Sequence, residues 1–214
     1  MPKTKLFLLR HGQTLSNLES RYQGQGDSPL SEQGLADARR VAETLKSINF
    51  SVIYGSPLSR SRKTAEIIAK KHGHLKVEID KDLMERYYGV FEDMTFQEIK
   101  DQYSALYDEW IHNPNQAKIP EAETLEDLQK RGMTAITKII SKHQGDNICV
   151  VGHGGINRAI IFHYMGIDLN NFFHIKQDNC CINIIEFAHC PQIVLLNSTY
   201  FAGSERRFTK EGNY

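Results

Sequence analysis

Leu6-Phe7-Leu8-Leu9-Arg10-His11-Gly12-Gln13-Thr14 is the stretch on which the fold turns. Four apolar residues run without a break into an arginine, a histidine and a glycine. An unbroken apolar run, rather than an alternating one, suits a strand covered on both faces, as in the parallel sheet of an α/β protein. The polar residues at its end then stand at the carboxyl edge of the sheet, where open α/β sheets bind ligands. Ile148-Cys149-Val150-Val151-Gly152-His153-Gly154-Gly155 has the same order of apolar run, histidine and glycine. If the two strands are parallel neighbours, His11 and His153 face each other at one edge.

The remaining pattern alternates strands with helices. Gln13 to Leu30, broken by Gly24, Gly26 and Pro29, reads as a loop over the strand end. Ser31 is the expected N-cap of a helix to Ser47, on which Leu35, Ala38, Val41, Ala42 and Leu45 share one face. Val52–Tyr54 is a second strand, followed by a helix to about His72 and an edge strand over Leu75–Ile79. Asp82 to Thr95 has no clean period. Phe96, Ile99, Tyr103, Leu106, Tyr107 and Trp110 then make one helical stripe, either core or a lid. Thr124 caps a helix to about His143, and a helix over Ile156–Met165 follows His153. Asn179–Phe187 and Ile193–Asn197 are two more strands. This order predicts an α/β fold, a three-layer α/β/α sandwich around a mostly parallel sheet. One domain over 1–214 is expected, with an inserted cap at about 82–122 and a polar tail from about 203.

Lys+Arg and Asp+Glu balance at 26 each, which disfavours a nucleic-acid partner. Cys149, Cys180, Cys181 and Cys190 show no C-x-x-C spacing, so neither a disulfide framework nor a zinc site is expected. Cys149 reads as a small core residue, and Cys180 and Cys181, if on a strand, would point to opposite faces. His72-Gly73-His74 sits in a turn without a carboxylate cluster and is not a metal pair. No apolar run is long enough for a signal peptide or a membrane span, and the cytoplasm is the expected compartment.

Five residues carry candidate chemistry. Arg10 and Arg60 hold permanent charge and can fork onto phosphate oxygens. His11 in its neutral form is a nucleophile toward phosphorus. His153 precedes two glycines and a helix, whose amino end favours an anion. Glu85 is a general acid and base candidate. Each alone has a plain structural alternative: a histidine after a strand, a solvated helix face for Arg60, an ion pair of Glu85 with Arg86.

Their order resembles the histidine phosphatase superfamily in its phosphoglycerate mutase-like branch. The likeness rests on Arg10-His11-Gly12 with Asn17 and Gly24, on Ser56-Pro57-Leu58-Ser59-Arg60 with Thr64-Ala65, on Glu85, and on Gly152-His153-Gly154. It runs from about Lys5 to Arg158. The resemblance implies a phosphoglycerate mutase-like fold and a metal-independent phosphatase without a cofactor. It implies a phosphohistidine at His11, a phosphoryl clamp of Arg10, Arg60 and His153, added donors from Asn17 and Gly154, and proton transfer by Glu85. The partner it implies is a small phosphorylated substrate; neither nucleic acid nor membrane is expected, and a homodimer stays open. By position, Tyr22, Gln23, Gly24, Arg86, Tyr88 and part of the 96–110 stripe would line the leaving-group pocket.

Glu85-Arg86-Tyr87-Tyr88-Gly89 is close to the mutase form of this segment. Other positions depart from it. Phe96 stands where mutases carry a lysine, no adjacent arginine pair lies between Tyr88 and Glu123, and Gly155 replaces the mutase asparagine. A mutase must shield its phosphoenzyme from water and grip a carboxylate, so hydrolysis is the preferred reading. Mutase-type transfer is the alternative within the family, and a phosphate-binding regulatory protein with little turnover is the alternative outside it.

Overall fold

A computed structural model describes residues 3–73 and 75–199. Strand β1 (Thr4–Arg10) lies inside a six-stranded sheet that also holds β2 (Phe50–Gly55), β3 (Val77–Ile79), β4 (Asn147–Gly152), β5 (Ile182–Phe187) and β6 (Pro191–Ser198). The order is β3-β2-β4-β1-β5-β6. β1, β4, β2 and β3 are parallel, while β5 and β6 join antiparallel. Leu9 pairs with Val151 and Arg10 with Gly152. The Arg10-His11 and Gly152-His153 ends therefore finish side by side, and the His11 amide donates to the Gly152 carbonyl at 3.1 Å.

The unbroken apolar runs reflect two cores. Leu6, Leu8, Ile148 and Val150 pack on one face with residues of α6 (Leu125–Lys142) and α7 (Gly154–Met165). Phe7, Leu9, Cys149 and Val151 pack on the other with α2 (Glu32–Leu45) and α3 (Ser59–Ala69). Successive strand residues point to opposite faces, so a strand covered on both sides has no polar position to spare. Caps fall where the chemistry of the residues demands: Ser31 Oγ accepts from the Gly34 amide, Thr124 Oγ1 from the Asp127 amide, and α7 ends on left-handed Gly166.

Several expectations need correction. The 13–30 segment contains a one-turn helix, α1 (Leu15–Leu18), because Thr14 and Asn17 form a reciprocal capping box. The aromatic stripe is two helices, α4 (Phe96–Gln102) and α5 (Ser104–His112), broken at Tyr103 where φ/ψ is −133/41. Its apolar spacing continues through the break, so periodicity alone joins the two. Cys180 lies in a turn with φ +58, ahead of β5, and both it and Cys181 are fully buried. The α7 helix begins at Gly154, two residues earlier than its apolar pattern. Of the His72–His74 pair, His72 packs edge-on against Phe50; His74 and the polar tail lie outside the described residues. Among the described residues no helix is long and apolar enough to cross a membrane.

Candidate active site

His11 is 2% exposed, and its Nδ1 lies 2.7 Å from the carbonyl of Gly12. A carbonyl only accepts, so Nδ1 carries the hydrogen and Nε2 carries the lone pair. Burial, then Arg60 and Arg10, push its pKa well below the ordinary value, which keeps the ring neutral. Its carbonyl accepts from the Cys180 amide at 3.1 Å and from Asn179 Nδ2 at 3.3 Å.

The ring of His153 stands 5.1 Å from that of His11, tilted by 58°. Its Nε2 is 2.7 Å from Ser56 Oγ, and Ser56 Oγ also accepts from the Leu58 amide. The Nδ1 atom is buried without a partner. Burial first, then Arg60, His11 and Arg10, lower its pKa far below the usual range, so this ring is neutral too.

Arg10 and Arg60 are anchored on different segments of the chain. Arg10 Nη1 donates to the Gln177 carbonyl at 2.5 Å. Arg60 Nη1 and Nη2 donate to the Gly26 and Gly24 carbonyls at 2.7 and 2.6 Å. The Nε atoms of both guanidinium groups are buried and unpartnered. The loop that holds Arg60 depends on Gly24, which has φ +52; a Cβ there would sit 1.8 Å from Glu92 Oε1. That carboxylate oxygen accepts from the amides of Gln25 and Tyr88 at 2.8 and 3.2 Å, which ties the 24–26 turn to the segment after Glu85.

The carboxylate of Glu85 caps α7. Oε2 accepts from the Gly155 amide at 2.9 Å, and Oε1 from the amides of Ile156 and Arg86 at 3.1 and 2.8 Å. Gly155 permits this approach, since a Cβ there would lie 2.4 Å from Glu85 Oε1. Glu85 makes no ion pair with the Arg86 side chain; it meets only the backbone of that residue. The Gly154 amide, at the first position of α7, has no hydrogen-bond partner among the described residues.

The family model described as histidine phosphatase superfamily (branch 1) matches residues 6–199. The chain belongs to this superfamily. It is 30% identical over 200 residues to phosphoserine phosphatase 1 of Hydrogenobacter thermophilus, covering 93% of this chain and 94% of that one. It is 39% identical over 158 residues to phosphoglycerate mutase-like protein 4 of Arabidopsis thaliana, covering 73% and 69%. The structure of Bacillus stearothermophilus YhfR matches with a TM-score of 0.85 at 28% identity, over 90% of this chain and 96% of that one. The protein is thus a phosphatase of the type that works through a phosphohistidine.

Around the centre of this histidine phosphatase, the other expected residues take distinct places. Asn17 Oδ1 accepts from the Thr14 amide and from Asn179 Nδ2, the same group that holds the His11 carbonyl. Gln23 Oε1 accepts from Thr14 Oγ1 at 2.9 Å. Tyr88 is buried, with its ring 4.9 Å from Tyr22, and burial raises the hydroxyl pKa of both, that of Tyr22 to about 12. Arg86 donates Nε to the Glu123 carbonyl at 2.7 Å and stacks 4.4 Å from the Trp110 ring centre. Residues to which the sequence assigned no role complete the site: Ser56 behind His153, Thr64 on the Gly12 amide, Glu92 under the 24–26 turn, Asn179 behind His11, and Arg158 on α7. Ser56 and Thr64 already stood inside the matched motif. Glu92, Asn179 and Arg158 carried no spacing signal, since each reaches the site only through the chain's return from elsewhere.

Proposed function

We propose that this protein is a metal-independent phosphomonoesterase for a small phosphorylated metabolite, with His11 as the nucleophile. One observation carries the reading. Arg10 Nε, Arg60 Nε and His153 Nδ1 are buried nitrogens without partners, and they belong to the residues around His11: its ring lies 5.1 Å from that of His153, and the charges of Arg60 and Arg10 both bear on it. Buried polar atoms of folded proteins are otherwise paired, so three such donors around one nucleophile suit the oxygens of a phosphoryl group. Phosphoryl transfer asks for positioning and charge stabilisation above all, and two guanidinium groups supply the charge.

In the first step His11 Nε2 bonds to phosphorus, the ester P–O bond breaks, and Glu85 gives a proton to the leaving alcohol oxygen. In the second, the Glu85 carboxylate takes a proton from water as that water displaces phosphate from His11. Asn17 and the free Gly154 amide add donors to the phosphoryl oxygens. The 82–122 segment serves as the cap, with Tyr22, Gln23, Arg86 and Tyr88 on the leaving-group side. Phe96 in place of the mutase lysine and Gly155 in place of the mutase asparagine favour water over a second acceptor.

Release of p-nitrophenol from p-nitrophenyl phosphate in excess EDTA tests the reading, with phosphoglycerate mutase activity assayed beside it. Retained activity in EDTA and its loss in His11→Ala are expected. Activity that needs an added divalent cation, that survives His11→Ala, or that is outrun by mutase turnover would overturn it.

A further inference from the structure

Glu85 is held at its backbone as well as at its carboxylate. The segment before it makes only a 3₁₀ turn (Lys81–Leu83) and an extended residue, Met84, so its carbonyls need partners from elsewhere in the chain. Arg131, on α6, supplies them. Its Nη1 donates to the carbonyls of Asp82 and Met84 at 2.9 and 3.0 Å, and its Nη2 to the carbonyl of Glu85 itself at 3.3 Å. The rest of the guanidinium goes to one carboxylate: Nε donates to Glu123 Oε1 at 2.9 Å and Nη2 to Glu123 Oε2 at 2.8 Å. Every N–H of Arg131 is thus engaged, in a planar fork that a lysine cannot reproduce.

Glu123 carries the clamp to the other side of Glu85. Its amide donates to the Tyr87 carbonyl at 3.0 Å, and its own carbonyl accepts from Arg86 Nε at 2.7 Å. The Arg131 and Glu123 side chains are only 20% and 16% exposed, and a two-bond guanidinium–carboxylate pair fixes direction as well as distance. Gly132, the next residue of α6, lies against Ile156 and Ile160 of α7; a Cβ there would be 3.1 Å from both. The two helices are therefore in close contact beside the Ile156 amide that Glu85 meets. Glu85 spans them, with its carbonyl on Arg131 and its carboxylate on the Gly155 and Ile156 amides. Among the described residues neither Arg131 nor Glu123 hydrogen-bonds Arg10, His11, Arg60 or His153, and the charge of Arg131 is the weakest of the four that bear on His153.

Resting on the phosphomonoesterase reading above, in which Glu85 moves the proton, we propose that Arg131, braced by Glu123, is the positioning residue for Glu85. It acts through the backbone of 82–85 and sets where the carboxyl group stands against the leaving oxygen. It binds no phosphate and touches no reacting atom. Its loss therefore impairs proton transfer and spares the phosphoryl clamp.

The test compares kcat/KM for glycerol 2-phosphate, whose leaving oxygen needs a proton, with that for p-nitrophenyl phosphate, whose nitrophenolate leaves without one. In Arg131→Met the first should fall roughly 10–100-fold, the effect of displacing a reacting group by about 1 Å, while the second hardly changes. Arg131→Lys keeps the charge but not the fork and should recover only part of the loss. Glu123→Gln should shift the ratio of the two substrates in the same direction by less, and it carries the test if Arg131→Met does not fold. In a Glu85→Gln background no acid remains to be placed, so adding Arg131→Met should leave the ratio where Glu85→Gln put it. Equal falls for both substrates, or a ratio that shifts again in the Glu85→Gln background, would overturn the positioning role while the phosphatase reading stands. If the parent protein cleaves neither ester, that reading fails and hydrogen exchange decides the clamp separately. The Gly155 and Ile156 amides should then lose protection in Glu123→Gln or Arg131→Met while those of Leu8 and Val150 keep theirs; unchanged protection at Gly155 and Ile156 would overturn it.

Discussion

Ser56 Oγ stands 2.7 Å from His153 Nε2, and this contact decides which nitrogen of that ring meets a substrate. Ser56 accepts from the Leu58 amide, which leaves its own hydrogen to point at Nε2. Nε2 then acts as acceptor, and the hydrogen of the neutral ring sits on Nδ1, the ring nitrogen left buried and unpartnered. Ser56→Ala should lower kcat/KM by roughly tenfold, since the ring is freed to take the other tautomer. Ser56→Thr keeps the hydroxyl and should recover most of it. Steady-state kinetics on the pair checks this; equal losses in both would show that bulk, not the hydroxyl, matters.

Glu85 makes a second, two-sided prediction. With a poor alcohol leaving group, Glu85→Gln should lose roughly 10²–10⁴-fold, the range for positioned proton transfer. With p-nitrophenyl phosphate the loss should be smaller, because nitrophenolate leaves without a proton. The structure adds a stability term. An amide at this position turns an N–H toward one of the three backbone donors of Arg86, Gly155 and Ile156. Urea denaturation should show a loss of about 1–3 kcal/mol. A variant as stable as the parent would mean that these contacts do not hold the carboxylate.

The 24–26 turn yields a third. Gly24→Ala must adopt φ near +52 and push aside Glu92, at a cost of at least about 1–2 kcal/mol from the backbone alone. The Gly24 carbonyl is also the acceptor for Arg60 Nη2, so the clamp loosens with the turn. Weaker inhibition by inorganic phosphate, together with a lower denaturation midpoint, is expected. A variant with unchanged phosphate affinity would show that Arg60 does not rely on this loop.

The two-histidine edge was legible from sequence because it lies in two strands, and a both-faces-buried strand announces itself as an unbroken apolar run. Ser31, Thr124 and the α2, α3 and α6 stripes were legible for the same reason: cap chemistry and period are local. What escaped was long-range or conformational. Tyr103 breaks the aromatic stripe without breaking its spacing. Asn179, Glu92 and Arg158 meet the centre only after β5, the 88–92 turn and α7 are brought to it. The alternative pairing of Glu85 with Arg86 failed because the helix amino end claims the carboxylate, a competitor that neighbouring residues in sequence do not reveal.

Acid stability gives the last prediction. The folded-state pKa values of His11 and His153 are depressed, chiefly by burial and then by the arginines beside them. His72, lowered by burial, adds in the same sense. The unfolded chain protonates these rings near their ordinary value of 6.5 while the folded one does not. Below that value the unfolded state binds more protons, so stability present above pH 6.5 is lost as pH falls toward the folded-state values. The buried rings of His11 and His153 each contribute at most about 1.4 kcal/mol per pH unit in that window. Carboxylates titrate lower and add little between pH 7.5 and 5.5. Urea midpoints at fixed ionic strength should therefore drop over this range, and the slope should flatten in His11→Asn and again in His11→Asn/His153→Asn. A midpoint that rises on acidification, or a double variant that titrates like the parent, would mean that the two rings are not held neutral in the fold.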